Sequence, residues 1–404
     1  MAKNIVSLIR CNHYNSSDIE NAIRQSFANL GGIEKYINKG DKVLLKLNLL
    51  MRKRPELAAT THPEFTRALC SVLIEYGATV IIGDSPGGPF TKGMLSSVYK
   101  GTGIEQVAND TGATLNYNIN SAKVSNPNGL LLKSLTVTDM LNDVDKVISV
   151  SKLKTHGMCV FTGAVKNMFG IVPGLIKAEY HFNMPEINDF ADSLIDVCLA
   201  GKPTLSFMDG IVGMEGAGPS SGTPRKVGAV IASTSPYHLD KAAIKIAGFQ
   251  ENEVPTVKRS IARNLCGSGF DDIEFAGENI DDFVIADFKR AKNIHSDFFE
   301  HYIPKFMRGF LRKRLKAIPK FDAEKCIGCG DCVNLCPAKI LKLRDARMGM
   351  RVRETSRPPA RRTHLTDVIL IEKSKCISCF CCQELCPKAA VKIHRPWLLR
   401  VISK

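Results

Sequence analysis

The chain has 404 residues, 55 of them Lys or Arg and 40 Asp or Glu, with 44% hydrophobic and 24% charged content. That composition excludes wholesale disorder and suffices for two or three domains. The net charge of +15 is local: residues 1–304 carry 31 basic and 32 acidic side chains, whereas residues 305–404 carry 24 and 8. No run of eighteen apolar residues occurs, and the opening MAKNIVSLIRCNHYN lacks the apolar core and cleavage site of a secretory leader. A cytoplasmic protein is expected, with membrane association unlikely.

In chain order, short apolar runs predict strands at Ile5–Ile9, Val43–Leu47, Thr79–Gly83, Lys146–Val150, Leu205–Met208 and Val227–Ala232. Helical periodicity falls at Asp18–Leu30, Pro63–Tyr76, Pro185–Leu199, Leu239–Ala247 and Pro255–Leu265. Pro63 suits a first turn, with Thr61 or His62 as the cap. Strands alternating with helices predict an α/β domain over 1–300, built on a mainly parallel sheet with helices on both faces. In such sheets ligands gather at the carboxyl ends of strands, so the segments directly after strands are where a site is expected.

Those segments carry unusual residues. Lys46-Leu-Asn48 closes the second strand, and Gly83-Asp84-Ser85-Pro86-Gly87-Gly88 closes the third. Ser151-Lys152-Leu-Lys154-Thr155-His156 follows the fourth and leads into Gly163-Ala-Val-Lys166-Asn167-Met-Phe-Gly170, then Lys177 and His181. Met208-Asp209-Gly210 precedes Glu215-Gly216-Ala-Gly218-Pro219. Lysines, histidines and unhindered glycine amides at strand ends suit an anionic ligand, carboxylate or phosphate. Lys46, Asn48, Asp84, Ser85, Asn167 and Asp209 are the candidate substrate-binding residues. Lys154 and Lys166 are placed to hold the anion, His156 to transfer a proton, and His181 and Glu215 to assist as acid or base. Each has a plainer reading as a turn, a cap or a loop ion pair. There is no G-x-x-x-x-G-K-[ST] and no G-x-G-x-x-G after the first strand, so neither an ATPase nor an NAD site is indicated, and no flavin motif is seen.

A basic linker helix is expected at 301–320, between Pro304 and Pro319. Beyond it, nine of the 14 cysteines fall between Cys326 and Cys386. Cys326, Cys329, Cys332 and Cys336 read C-x₂-C-x₂-C-x₃-C-P, and so do Cys376, Cys379, Cys382 and Cys386, at an offset of 50 residues. Lys325, Ile327 and Leu335 recur as Lys375, Ile377 and Leu385, which marks a duplication. This spacing is the bacterial 4Fe–4S run, whose fourth cysteine ligates the other cluster. It assigns Cys326, Cys329, Cys332 and Cys386 to one cluster and Cys376, Cys379, Cys382 and Cys336 to a second. Paired structural zinc needs a different spacing. Cys381 is surplus, expected as a non-ligand in the position of Gly330. The gap from Cys336 to Cys376 holds a basic insert at about 343–363, with seven arginines from Arg344 to Arg362. That insert is either a solvated loop or a docking face for an acidic redox partner.

Residues 321–404 resemble the two-cluster bacterial ferredoxins, which implies an α+β ferredoxin-like domain. The ordered set K-x-N, GDSPG, K-x-K-T-H, KN-x-FG-x-x-PG and DG-x-x-x-x-EG-x-GP resembles the domain-of-unknown-function family numbered 362, some of whose members carry such a module. The resemblance implies a fold and a redox association without a defined substrate. The function expected is a ferredoxin-linked, anaerobic iron–sulfur oxidoreductase. Electrons would come from a soluble ferredoxin or flavodoxin and leave to a small anionic substrate in the α/β domain. The alternative is a non-enzymatic electron-transfer or maturation protein with a protein client. Nucleic-acid binding is disfavoured, because few aromatics interleave with the arginines.

Overall fold

A computed structural model describes residues 3–184, 186–291, 317–345 and 366–394. The chain divides into two units, 1–177 with 186–292, and 178–185 with 293–404. The expected linker helix lies for the most part outside the described residues, as do most of the basic insert and the tail around Trp397. Among the described residues no helix is long and apolar enough to cross a membrane.

The first unit is a nine-stranded sheet. Its strands are β1 (Asn4–Arg10), β2 (Lys42–Lys46), β3 (Thr79–Gly83), β4 (Thr114–Leu115), β7 (Lys146–His156), β8 (Val160–Thr162), β9 (Leu205–Glu215), β10 (Thr223–Ser233) and β11 (Ile273–Gly277). A separate hairpin, β5 (Ser121–Ser125) with β6 (Ser134–Thr138), follows β4. The sheet order is β11-β1-β10-β9-β7-β2-β3-β4, with β8 folded back on β7. Pairings β2–β3, β2–β7, β3–β4, β7–β9 and β1–β11 are parallel, whereas β10 is antiparallel to both neighbours.

Both faces are covered. Helices α1 (Ser16–Asn29), α2 (Pro63–Tyr76), α3 (Lys92–Gly101) and α4 (Ile104–Thr111) bury Ile19, Phe65, Leu95 and Ile104 with Val230 and Ala232 of β10. After the short α5 (Ala164–Asn167), α6 (Ile176–Asn183) and α7 (Ile187–Gly201), helices α8 (Pro236–Ile246) and α9 (Pro255–Ala262) close the other face. There Leu239 and Val257 pack with Ala229 and Ile231, the alternate positions of the same strand. Helix α2 starts where its sequence predicts: His62 is the cap, its Nδ1 accepting the Glu64 amide at 3.2 Å, and Pro63 takes the first turn.

Three strands clearly outrun their prediction, one of them β10, which starts at Thr223 rather than Val227. Strand β7 continues through Lys152, Lys154 and His156, and β9 through Asp209 to Glu215. The K-x-K-T-H and DG-x-x-x-x-EG segments are therefore strand interior rather than loops. Ten of the eleven β7 residues are buried.

The second unit repeats itself. Strand β12 (Ile318–Phe321), helix α10 (Asp331–Asn334) and β13 (Leu341–Asp345) are followed by β14 (Thr366–Leu370), helix α11 (Cys381–Glu384) and β15 (Val391–His394). First and last strands pair antiparallel, as do the middle two. Residues 318–320, assigned to the linker from sequence, are strand β12 of this module.

Candidate functional site

The duplicated module builds two cysteine-lined cavities. One has Cys326, Cys329, Cys332 and Cys386 in its wall, with Ile327, Val368 and Val391. The other has Cys376, Cys379, Cys382 and Cys336, with Ile340, Leu341 and Phe380. Each cavity takes three thiols from one copy of the motif and the fourth from the other copy. The thiols ring a space instead of converging on a point, and among the described residues no three His, Cys, Asp or Glu side chains are grouped to hold a single ion. Four sulfurs around an apolar hollow fit a cubane, whose thiolate ligands stand apart around an inorganic core. Backbone amides also turn to sulfur: Ala390 N donates to Cys386 Sγ at 3.2 Å.

The loops bend through left-handed residues at matched places. Gly328 and Gly330 have φ of 67° and 81°, and Ser378 and Phe380 have 57° and 58°. Phe380, not Cys381, therefore holds the place of Gly330. Cys381 is the first residue of α11, equivalent to Asp331 in α10. The 50-residue offset carried that register.

In the first unit the polar residues form a buried network at the carboxyl ends of β2, β3 and β7. Ile148 and Val150 of β7 join the apolar core, and Lys152 and Lys154 occupy the positions that continue that face. A lysine tolerates such a place only with partners. Lys46 Nζ pairs with Asp84 Oδ1 at 2.7 Å, their side chains 1% and 5% exposed, and donates to Leu47 O and Asn167 O at 2.6 and 3.0 Å. Asp84 Oδ2 accepts the Leu49 amide at 2.8 Å. Asn167 donates to Lys46 O and Ser149 Oγ, and its Oδ1 accepts from Asn48 Nδ2 at 3.2 Å. Lys154 Nζ closes the chain on Asn48 Oδ1 and Ala59 O, both at 2.6 Å. Lys46, Asn48, Asp84, Asn167 and Lys154 are thus one hydrogen-bonded set. Gly170 is required beside it, since a Cβ there would stand 2.1 Å from Asp84 Oδ1 and 2.4 Å from Lys46 Nζ.

Ser85 and Lys177 adjoin this set. Lys177 Nζ contacts Ser85 O, Ser85 Oγ at 3.1 Å and Pro86 O at 3.2 Å, and Ser85 Oγ accepts the Gly174 amide at 2.9 Å. Burial first, and then the ammonium groups of Lys46 and Lys166, lower the Lys177 amine to about 7 against the pull of Asp84. Three lysines thus share this region with one carboxylate. Lys166 is half-buried on α5, 5.9 Å from the Phe169 ring centre.

Other candidates go elsewhere. Asp209 is fully buried, pairs with Lys152 at 2.7 Å, and accepts from Tyr14 Oη at 2.8 Å and His62 N at 3.0 Å. The Tyr14 ring lies on the His62 ring, centres 3.5 Å apart. His156 Nδ1 accepts the Met158 and Cys159 amides, both at 3.1 Å, which ties the turn from β7 into β8. Glu215 accepts the Lys289 amide at 3.0 Å, and Gly216 N bonds Lys289 O, so the 213–222 stretch spends these groups internally. His181 is buried on α6, in the segment grouped with the second unit. Sequence reasoning did not single out Lys152, Tyr14 or His62 as partners of Asp209. The signal available was Lys152 two residues before Lys154 on a strand.

A family model described as a domain of unknown function (DUF362) matches residues 43–245, half of the chain. A model described as a 4Fe–4S dicluster domain matches residues 325–390. The chain is 32% identical over 260 residues to the thylakoid-associated protein sll1697 of Synechocystis sp., covering 62% of this chain and 77% of that one. Over 26 residues it is 46% identical to Ferredoxin-2 of Desulfomicrobium norvegicum, 6% of this chain and 44% of the ferredoxin. The lactate racemase apoprotein of Thermoanaerobacterium thermosaccharolyticum is similar at 14% identity and a TM-score of 0.38, over 61% of this chain and 57% of that one. The C-terminal module is a ferredoxin domain that binds 4Fe–4S chemistry for electron transfer.

Proposed function

Because the chain belongs to the DUF362 family and carries a 4Fe–4S dicluster domain, we propose that it is an iron–sulfur reductase. In this reading it passes electrons from a soluble ferredoxin or flavodoxin to a small anionic substrate. The observation that carries it is the pair of cavities, each walled by four cysteines drawn from both copies of the motif. Cys326, Cys329, Cys332 and Cys386 would hold one cluster, and Cys376, Cys379, Cys382 and Cys336 the other. When bound, the clusters supply one-electron storage and transfer.

On the α/β side, the excess of ammonium groups around Asp84 supports an anionic ligand. In this reading Lys166, half-buried, would be the cation that meets it. Lys177, its pKa lowered to about 7, would give a proton at Nζ while the Ser85 and Pro86 oxygens orient that amine. Lys46, Asn48, Asn167 and Lys154 keep the region rigid. A second reading, reduction of a protein client, is favoured by the saturation of Lys46, Lys152 and Lys154 by internal acceptors. The test is anaerobic purification with iron and sulfide analysis. About eight of each per chain is expected, and about four, or stoichiometric zinc, would end the two-cluster reading. Loss of small-anion protection of Lys177 against amine-reactive labelling would leave the client reading.

A further inference from the structure

We propose, resting on the anionic-ligand reading above, that Lys177 is also a nucleophile and that the small anion it meets carries a carbonyl group, an oxo acid held as an imine on Nζ. Lys46 shows what a lysine fixed as an ammonium looks like in this fold. Its Nζ donates to Leu47 O, Asn167 O and the carboxylate of Asp84, three groups that only accept. Lys177 differs. It is half-buried, and among the described residues its hydrogen-bond partners are Ser85 O, Ser85 Oγ at 3.1 Å and Pro86 O at 3.2 Å, with no carboxylate in the set.

One of those three oxygens is a hydroxyl. Ser85 Oγ accepts the Gly174 amide at 2.9 Å, which leaves its own hydrogen to donate. Nζ is therefore satisfied in either protonation state. As an ammonium it donates to all three oxygens. As a neutral amine it donates to the Ser85 and Pro86 carbonyls while its lone pair accepts from Ser85 Oγ. The lowered pKa of Lys177 agrees with this. A lysine that stands neutral beside a hydroxyl is equipped to attack a carbonyl carbon. The step needs no oxidant or reductant. The Nζ lone pair forms the C–N bond, the carbonyl π pair moves to oxygen, and one nitrogen proton passes to that oxygen through Ser85 Oγ. The second nitrogen proton leaves with the hydroxyl as water, giving the imine, and hydrolysis returns the amine.

The test uses the full-length protein with two probes: pyruvate as the oxo acid, and propionate as a carboxylate of like size without the carbonyl. Cyanoborohydride reduces any imine to a stable secondary amine, and peptide mass spectrometry locates it. At pH 7 pyruvate should leave its reduced adduct on Lys177 about 10²-fold above exposed lysines. About half of an amine near 7 is unprotonated there, against about one part in 10³ of an amine at 10.5. Ser85→Ala should slow this trapping by about tenfold or more, and Ser85→Thr, which keeps the hydroxyl, should restore it. If both carboxylates protect Lys177 from amine-reactive labelling and no adduct is trapped, the inference is overturned and the anionic-ligand reading stands. Adducts spread evenly over exposed lysines would overturn it as well. Protection by neither carboxylate, with no adduct, would overturn the anionic-ligand reading together with it.

Discussion

Replacing Lys46 with methionine keeps the volume of the side chain and removes its charge. The side chain is 1% exposed, and its partner Asp84 is 5% exposed at 2.7 Å. At an effective dielectric constant of about 20, two unit charges that close attract by roughly 6 kcal/mol before desolvation is counted. In the variant Asp84 keeps only the Leu49 amide, and Leu47 O and Asn167 O each lose a donor. Breaking one side of a buried pair costs about 3–5 kcal/mol. Because the chain divides into two units and carries a 4Fe–4S domain, global unfolding is a poor measure. Hydrogen exchange of peptides covering Val43–Leu47 and Thr79–Gly83 reads the local opening instead. Protection there should fall by about 10²–10⁴ in Lys46→Met, at roughly 1.4 kcal/mol per tenfold. Adding Asp84→Asn should recover part of it, because no charge is then stranded. Additivity of the two substitutions to within ~0.5 kcal/mol would refute the pairing argument.

Crossed ligation predicts that Cys326→Ala with Cys386→Ala spares one cluster, about four irons, whereas Cys326→Ala with Cys336→Ala damages both; equal iron in the two double variants would contradict it. Lys177 is lowered from 10.5 to about 7, so between those values the unfolded chain holds the extra proton and stability rises with pH. The penalty is fully present below pH 7. The parent should therefore gain exchange protection over Lys177→Met between pH 7 and 9.5, and a flat difference would speak against the shift. Gly170→Ala should weaken protection of β2 and β3, since its Cβ meets the ion pair, whereas Gly93→Ala, with nothing within 4 Å, should leave it unchanged or slightly raised. Equal effects of the two would remove the steric argument.

The ferredoxin half was legible because cluster ligation fixes cysteine spacing more tightly than packing fixes any apolar pattern. Helix α2 was legible for a similar reason, with His62 and Pro63 marking its start. The ends of β7 and β9 were not. A lysine or aspartate in a short apolar run reads as the onset of a loop, yet Lys152 stands beside Asp209 on the neighbouring strand, and each makes burial of the other tolerable. Such pairing joins residues 57 positions apart, which no local periodicity records. The hairpin of β5 and β6 escaped prediction, because its exposed alternation SAKVS offers little apolar signal. Its connection is instead pinned from afar, by Asp196 accepting the Leu130, Leu131 and Leu132 amides.

The antiparallel register of β13 and β14, from Leu341↔Leu370 to Asp345↔Thr366, leaves 20 residues to join two strand ends that are already side by side. Closing a longer connection between fixed ends costs only about 0.6 kcal/mol per doubling of its length. The place where this chain departs most from a compact ferredoxin is thus one where length is nearly free of thermodynamic consequence for the cysteine cavities. Such a junction can be extended, shortened or recharged while the two hollows keep their walls.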